Sequence, residues 1–195
     1  MPTTSTRLPR QARREQLLDA ALSLVRDQGT DNLTLVTLAE AASVSRPVVY
    51  DHFGTRPGLL LALYRRLADR LREVTTRALA EAAADPAELA RATSTAYFTC
   101  LTEVPEWTAV AAALRGSPEL APVELELCDC YADMMIAAFG PHSRLDAKAL
   151  RLRCFGVMGA ADTLGAELSR GRTSITDATD ALAALILAGI DPTTR

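Results

Sequence analysis

Apolar positions recur along this chain at helical spacing almost from its start, and no stretch alternates residue by residue as a half-buried strand would. Leu17, Leu18, Ala21, Leu22 and Val25 fall on one stripe, with Arg13, Arg14, Asp19, Arg26 and Asp27 off it. Gly29 follows as a stop, which predicts a helix over 9–28. Thr34 precedes Leu35, Leu38, Ala39 and Ala42 and reads as the N-cap of a short second helix. After a break at Ser43 and Val44, Ser45 caps a third short helix. Its first turn admits Pro47, Val49 and Phe53 share one face, and Gly54 ends it. From Arg56 the stripe Leu59, Leu60, Leu63, Tyr64, Leu67, Leu71 and Val74 predicts a long helix to about residue 82. Pro, Gly and Ser breaks separate five further helices, expected over 85–103, 105–115, 118–139, 146–170 and 176–190. The pattern predicts an all-α chain of nine helices, with a small helix-turn-helix domain over 1–54 and a larger helical domain over 55–195.

Composition narrows the class. Apolar residues make up 49% of the 195, enough to bury a core, and no run of 18 apolar residues without charge is present to cross a membrane. MPTTSTRLPR lacks the apolar stretch of a secretion signal, and four scattered cysteines do not make a disulfide framework, so a cytoplasmic protein with reduced thiols is expected. The net charge of −3 is unevenly spread. Residues 1–72 carry 11 Arg against 7 acids, and the remainder carries 10 bases against 17 acids. A basic front on an acidic body suits a protein whose front alone approaches phosphates.

Two short helices joined by a tight turn and braced by a preceding helix make a helix-turn-helix unit, whose second helix enters the major groove of DNA. The segment TLVTLAEAASVSRPVVYDHFGTRPGLL, Thr34 to Leu60, resembles the DNA-binding signature of the TetR family. An Ala-rich second helix, a Val-Ser turn, a recognition helix ending Tyr-x-His-Phe and a basic residue opening the fourth helix carry the likeness, over about 50 residues. The resemblance implies a transcriptional regulator, most often a repressor, that binds palindromic operator DNA as a homodimer and lets go when a small molecule binds in the C-terminal part. Ser45, Arg46, Pro47 and Val48 would face base edges, Arg46 bidentate to guanine and Val48 against a thymine methyl. Tyr50 and His52 match the family's phosphate-contacting pair, Thr34 offers a hydroxyl at a helix start, and Arg56 stands where the family usually has Lys. Two departures are visible. Val48 replaces a small or hydroxylated residue, and Ser43 replaces the turn glycine, where a left-handed backbone would cost about 1 kcal/mol. Arg7 and Arg10 are either an arm for a neighbouring groove or a frayed tail.

For the second half, the resemblance implies a pairing surface and a ligand pocket. Small and apolar residues mark the last two helices as the pairing face, with Leu152, Phe155, Gly156, Gly159, Ala160, Leu182, Leu185 and Ile186 as its candidates. Tyr97, Phe98, Trp107, Tyr131, Met135, Phe139 and Met158 are candidates to line the pocket, and aromatics and Met amid so much Ala favour an apolar or aromatic effector. Each of these residue types is also ordinary core material.

Other classes find less support. With two histidines, no glycine-rich phosphate loop and no G-x-S-x-G, an enzyme is not expected, nor is a cofactor. Cys128 and Cys130 sit about 200° apart around a helix, which does not make a chelate, so no metal site is expected. A thiol-based redox sensor and a ligand-independent architectural DNA-binding protein are the alternatives.

Overall fold

The computed structural model describes residues 8–117 and 119–190, and every regular element among them is a helix. The α-helices are α1 Arg10–Gln28, α2 Leu35–Ala41, α3 Arg46–Phe53, α4 Arg56–Glu81, α5 Pro86–Glu103, α6 Trp107–Arg115, α7 Ala121–Phe139, α8 Ala147–Ser169 and α9 Ile175–Ile190. Short 3-10 turns lie at Thr30–Asn32 and Gly140–His142. The expected all-α architecture of nine helices is present among the described residues. Pro118, the expected start of the seventh helix, lies outside them, and α7 begins at Ala121. None of these helices is long and apolar enough to cross a membrane. The chain divides into two compact units: one runs through Tyr64 and takes in Ala109–Leu120, and the other comprises Arg65–Thr108 and the residues from Ala121 onward.

In the first unit α1 packs on α2, and α2 on α3. Leu17, Leu18, Ala21, Leu24 and Val25 are the buried face of α1. Leu24 takes the place expected for Leu22, which is only half-buried, because spacing of three and then one residue keeps the stripe in line over successive turns. Leu33, Leu35, Leu38, Ala39, Val49, Phe53, Leu59, Leu60 and Leu63 add to the core of this unit, as do Val110 and Leu114 of α6. Burying each such side chain contributes roughly 1.5–3 kcal/mol, which offsets the ordering of two helices too short to persist alone. Thr34 caps α2 through a reciprocal box: its hydroxyl accepts the Thr37 N–H at 3.1 Å, and the Thr37 hydroxyl accepts the Thr34 N–H at 3.0 Å.

A Schellman motif ends α2, with Ser43 N–H on the Glu40 carbonyl at 3.1 Å and Val44 N–H on the Ala39 carbonyl at 3.0 Å. The motif needs a left-handed residue, and Ser43 supplies it at φ 52°, the one positive φ outside glycine among the described residues.

In the second unit α5 and α8 both pack on α9, and α7 packs on α8. Asp85 caps α5 by accepting the Ala87 and Glu88 N–H groups at 2.9 and 3.2 Å, and Asp146 caps α8 by accepting the Ala149 N–H at 2.8 Å. Gly165 allows α8 to approach α5 closely, since a Cβ there would stand 2.7 Å from the Leu101 side chain and 3.3 Å from the Tyr97 hydroxyl. On the outer side of α8, Arg151 bridges Asp129 and Asp133 of α7.

Ser43→Gly removes the left-handed strain while keeping the Schellman bonds. It is expected to stabilise the protein by about 1 kcal/mol, raising the melting temperature by roughly 2–4 °C in calorimetry. A lower melting temperature would mean that the serine side chain makes a compensating contact.

Candidate nucleic-acid interface

The third helix is held from its C-terminal half. Val49 and Phe53 point into the core, Arg14 of α1 donates to the His52 carbonyl at 2.8 Å, and its guanidinium lies over the Phe53 ring at 4.9 Å. Arg10 reaches the Asp51 carbonyl at 3.4 Å and the Asp51 carboxylate at 3.8 Å. Gly54 ends the helix at φ 67°. Gly58, in the first turn of α4, lets that turn close on the end of α3: a Cβ there would lie 2.2 Å from the Phe53 carbonyl oxygen. With the far end so anchored, the N-terminal turn of α3 presents its side chains outward.

Ser45, Arg46 and Pro47 are exposed on that turn. Ser45 occupies the N-cap position, but its hydroxyl makes no capping bond, which departs from the expected cap. Arg46 is 62% exposed and lies 3.6 Å from Glu40 across the turn. An exposed ion pair of that kind is worth at most about 1 kcal/mol, so it does not tie the guanidinium down. Tyr50, one turn on from Arg46, is 49% exposed, whereas Val48 and His52 are half-buried. Arg10 belongs to α1 and engages Asp51; Arg7 lies outside the described residues.

The remaining two expected contacts are committed within the fold. The Thr34 hydroxyl takes part in the capping box. Arg56 is half-buried and donates from Nε to the Leu33 carbonyl at 2.9 Å and from Nη2 to the Thr30 carbonyl at 2.8 Å. Sequence reasoning also passed over Arg14, Thr37 and Gly58. Only Gly58 left a trace: glycine in the first turn of a helix is about 1 kcal/mol worse than alanine unless a close approach requires it.

Partial burial lowers the pKa of His52 below its ordinary 6.5; the positive charges of Arg10, Arg14 and Arg13 act in the same direction, against Asp51. The imidazole is therefore neutral at pH 7. A phosphate placed beside it would favour the protonated form.

In the second unit Tyr97, Phe98, Trp107, Met135 and Phe139 are buried, and Tyr131 and Met158 half-buried. Tyr97 and Phe98 meet edge to face at 5.1 Å, and the Tyr97 hydroxyl donates to Asp162 at 3.3 Å. The Thr75 hydroxyl on α4 is fully buried without a hydrogen-bond partner. Burial pushes the Tyr131 phenol up to about 12, and the Thr75 hydroxyl beside it acts in the opposite direction. Burial likewise raises the Cys100 and Cys154 thiols, which keeps them from the reactive thiolate form.

The pairing candidates split. Leu152, Gly156, Gly159 and Leu185 are exposed, with Leu152 at 64% and Leu185 at 47%, while Phe155 and Ala160 are half-buried and Arg151 covers the Phe155 ring at 5.5 Å. Leu182 and Ile186 do not belong to an outer face. Each is 1% exposed and forms part of the inner side of α9, so neither has surface to offer a partner. The apolar residues of α9 run nearly all round it, and sequence alone did not separate its inner from its outer side.

A helix-turn-helix with an exposed, polar N-terminal turn on its second helix has the geometry that enters the major groove of DNA. Residues 17–63 match the family model described as bacterial regulatory proteins, tetR family. The HTH-type transcriptional regulator BetI of Paraburkholderia phytofirmans is 38% identical over 89 residues, 46% of each chain; the match thus spans about half the length of that relative. The fatty acid degradation regulator FadR from Bacillus halodurans shares the fold at a TM-score of 0.78 and 20% identity, over 97% of this chain and 100% of that one. A TetR-like transcriptional regulator from Rhodococcus sp. RHA1 does so at 0.71 and 22%, over 94% and 98%. Residues 17–63 are thus similar to the DNA-binding part of tetR-family regulators, and the chain as a whole shares its fold with these two solved structures.

Because the folded pKa of His52 lies below 6.5, its contribution to stability is complete above pH 6.5 and is lost as pH falls through the folded value. A phosphate contact at His52 would carry the opposite sign. Affinity for a selected operator, followed by fluorescence anisotropy, is expected to rise as pH falls through 6.5, and His52→Gln to abolish that rise. Identical pH profiles for the two proteins would remove His52 from the phosphate contacts.

Proposed function

We propose that the protein is a ligand-responsive repressor that binds a palindromic operator as a homodimer and is released by a small apolar or aromatic effector. The observation that carries this reading is the exposed turn Ser45–Pro47 with Tyr50 beside it, on a helix fixed at its other end by Arg14 and Gly58. Arg46 reads a guanine edge, Val48 gives at most an apolar contact, and Tyr50, His52 and the Thr34 corner meet phosphates. The proposed division at 54/55 puts reading in front and sensing behind, with the compact unit that carries the reading helices running on through Tyr64.

Pairing is supported by the glycines of α8. A Cβ at Gly156 or Gly159 would meet nothing within 4 Å in this chain, so the protomer itself does not require glycine there. Each costs about 1 kcal/mol in a helix interior, a cost that a partner helix approaching closely would offset. With Leu152 on the same side of α8 and exposed Leu185 on the adjoining α9, they form an apolar strip suited to a second copy. A dimer sets two reading helices at least about one DNA turn, ~34 Å, apart.

The effector reading rests on the aromatic and Met content of the second unit and on the unpartnered Thr75 hydroxyl near the neutral Tyr131 phenol. An uncharged molecule with one polar group suits that environment, where a charge would lose its hydration. To switch the protein from 99% competent to 1%, such a ligand must favour the released state about 10⁴-fold.

Selection from a random DNA pool is expected to enrich a palindrome bound by a dimer. Arg46→Ala should relax preference at one position per half-site by about 1–3 kcal/mol, and Gly159→Arg should yield monomers in sedimentation with a matching loss of affinity. A pool that stays unenriched would overturn the proposal. In thermal-shift screens uncharged aromatic compounds should raise the melting temperature, and Thr75→Val should weaken those with a polar group; hits confined to charged, non-aromatic compounds would refute the effector reading.

A further inference from the structure

We propose that Arg56 is a positioning residue that sets how the helix-turn-helix is carried on α4, and not a phosphate ligand. The inference rests on the DNA-binding reading above and deepens it. Nε and Nη2 lie along one edge of the guanidinium plane, and here they grip two carbonyls, Leu33 at 2.9 Å and Thr30 at 2.8 Å. The gripped loop has no slack of its own. Leu33 is fully buried, Leu33 N–H bonds the Thr30 carbonyl at 3.1 Å, and the Thr37 hydroxyl donates to the Asn32 carbonyl at 2.8 Å.

Thr34, the next residue, is half of the box that starts α2, and α2 packs on α3. A chain of short bonds therefore runs from the first turn of α4 through the Thr30–Leu33 loop to α2 and on to α3. Gly58 closes the same turn against the end of α3, so the first turn of α4 touches the helix-turn-helix at its entry and its exit. Displacing that turn displaces the reading helix. Lysine, the residue usual here in the family, carries the same charge at a single point and lacks a planar fork for both carbonyls, so the grip belongs to arginine.

The experiment compares the native protein with Arg56→Lys and Arg56→Gln in two ways. Hydrogen exchange on the protein without DNA should show amides of residues 33–37 exchanging at least about tenfold faster in both variants, with no change in the rest of the core. Titrations with the selected operator and with random DNA over a range of salt should show the operator-to-random affinity ratio falling about tenfold or more in both. In Arg56→Lys the salt slope should stay unchanged. Arg56→Lys with native exchange and a native ratio overturns the proposal. So does Arg56→Gln with an unchanged ratio and a salt slope lowered by about one unit, the mark of a lost phosphate contact. A general loss of folding lowers binding to both DNAs alike and leaves the ratio in place, which also overturns it. Native protein that prefers no DNA sequence refutes the function proposed above and this assignment with it. The exchange data remain a separate measure of the grip, so the two failures are told apart.

Discussion

Helices of seven and eight residues do not persist in water, because the entropic cost of starting a helix is not recovered over two turns. Both halves of the helix-turn-helix depend for their existence on neighbours, and this dependence orders the first unit. Leu35, Leu38 and Ala39 from α2, with Val49 and Phe53 from α3, are buried along with the α1 stripe and with Leu59, Leu60 and Leu63 of α4. Local bonds then remove what freedom remains: a reciprocal box at the start of α2, a Schellman turn at its end, and Arg14 under the end of α3. The rigidity that a reading helix needs is borrowed from core and caps together.

What could be seen in the sequence follows from where information is local. Helix spacing, caps and stops are properties of neighbouring residues, so the α-helical architecture and its Thr34 cap were visible, and so was the awkward Ser43. Contacts between residues far apart in sequence were not. Arg14 to the His52 carbonyl, Arg56 to Thr30 and Leu33, and Gly58 against Phe53 join points that no periodicity relates. The second half showed the same limit. In α9 nearly every residue is small or apolar, and only the folded chain separates buried Leu182 and Ile186 from exposed Leu185. Leu22 and Leu24 differ by a fraction of a helical turn, and the choice between them needed the neighbours they face.

The two units use buried polar groups differently. In the first, the polar side chains near the core are satisfied by backbone carbonyls and serve to lock segments together. In the second, Thr93 and Ser94 turn their hydroxyls back onto the carbonyls one turn before them, on Leu89 and Ala90, while Thr75 is left without a partner near a phenol that burial keeps protonated. A dry, unmatched hydroxyl costs roughly 1–3 kcal/mol, which a bound molecule could return as affinity. The proposed division into a stiff reading part and an incompletely satisfied sensing part has its physical basis in this contrast.

The pairing of Arg46 with Glu40 across the α2–α3 turn carries a consequence for the search along DNA. On the proposed reading, the guanidinium has a weak, exposed partner within the protein, so contact with a base at this position is partly an exchange and not wholly an addition. A guanine edge offers two acceptors in place of the one it gives up, whereas a mismatched base offers a poorer bargain and leaves Glu40 without its cation, facing the electronegative groove. The carboxylate thereby acts as a built-in competitor. It lets the guanidinium fall back on a partner within the protein wherever a base edge offers less than the carboxylate does, and so eases movement along such DNA.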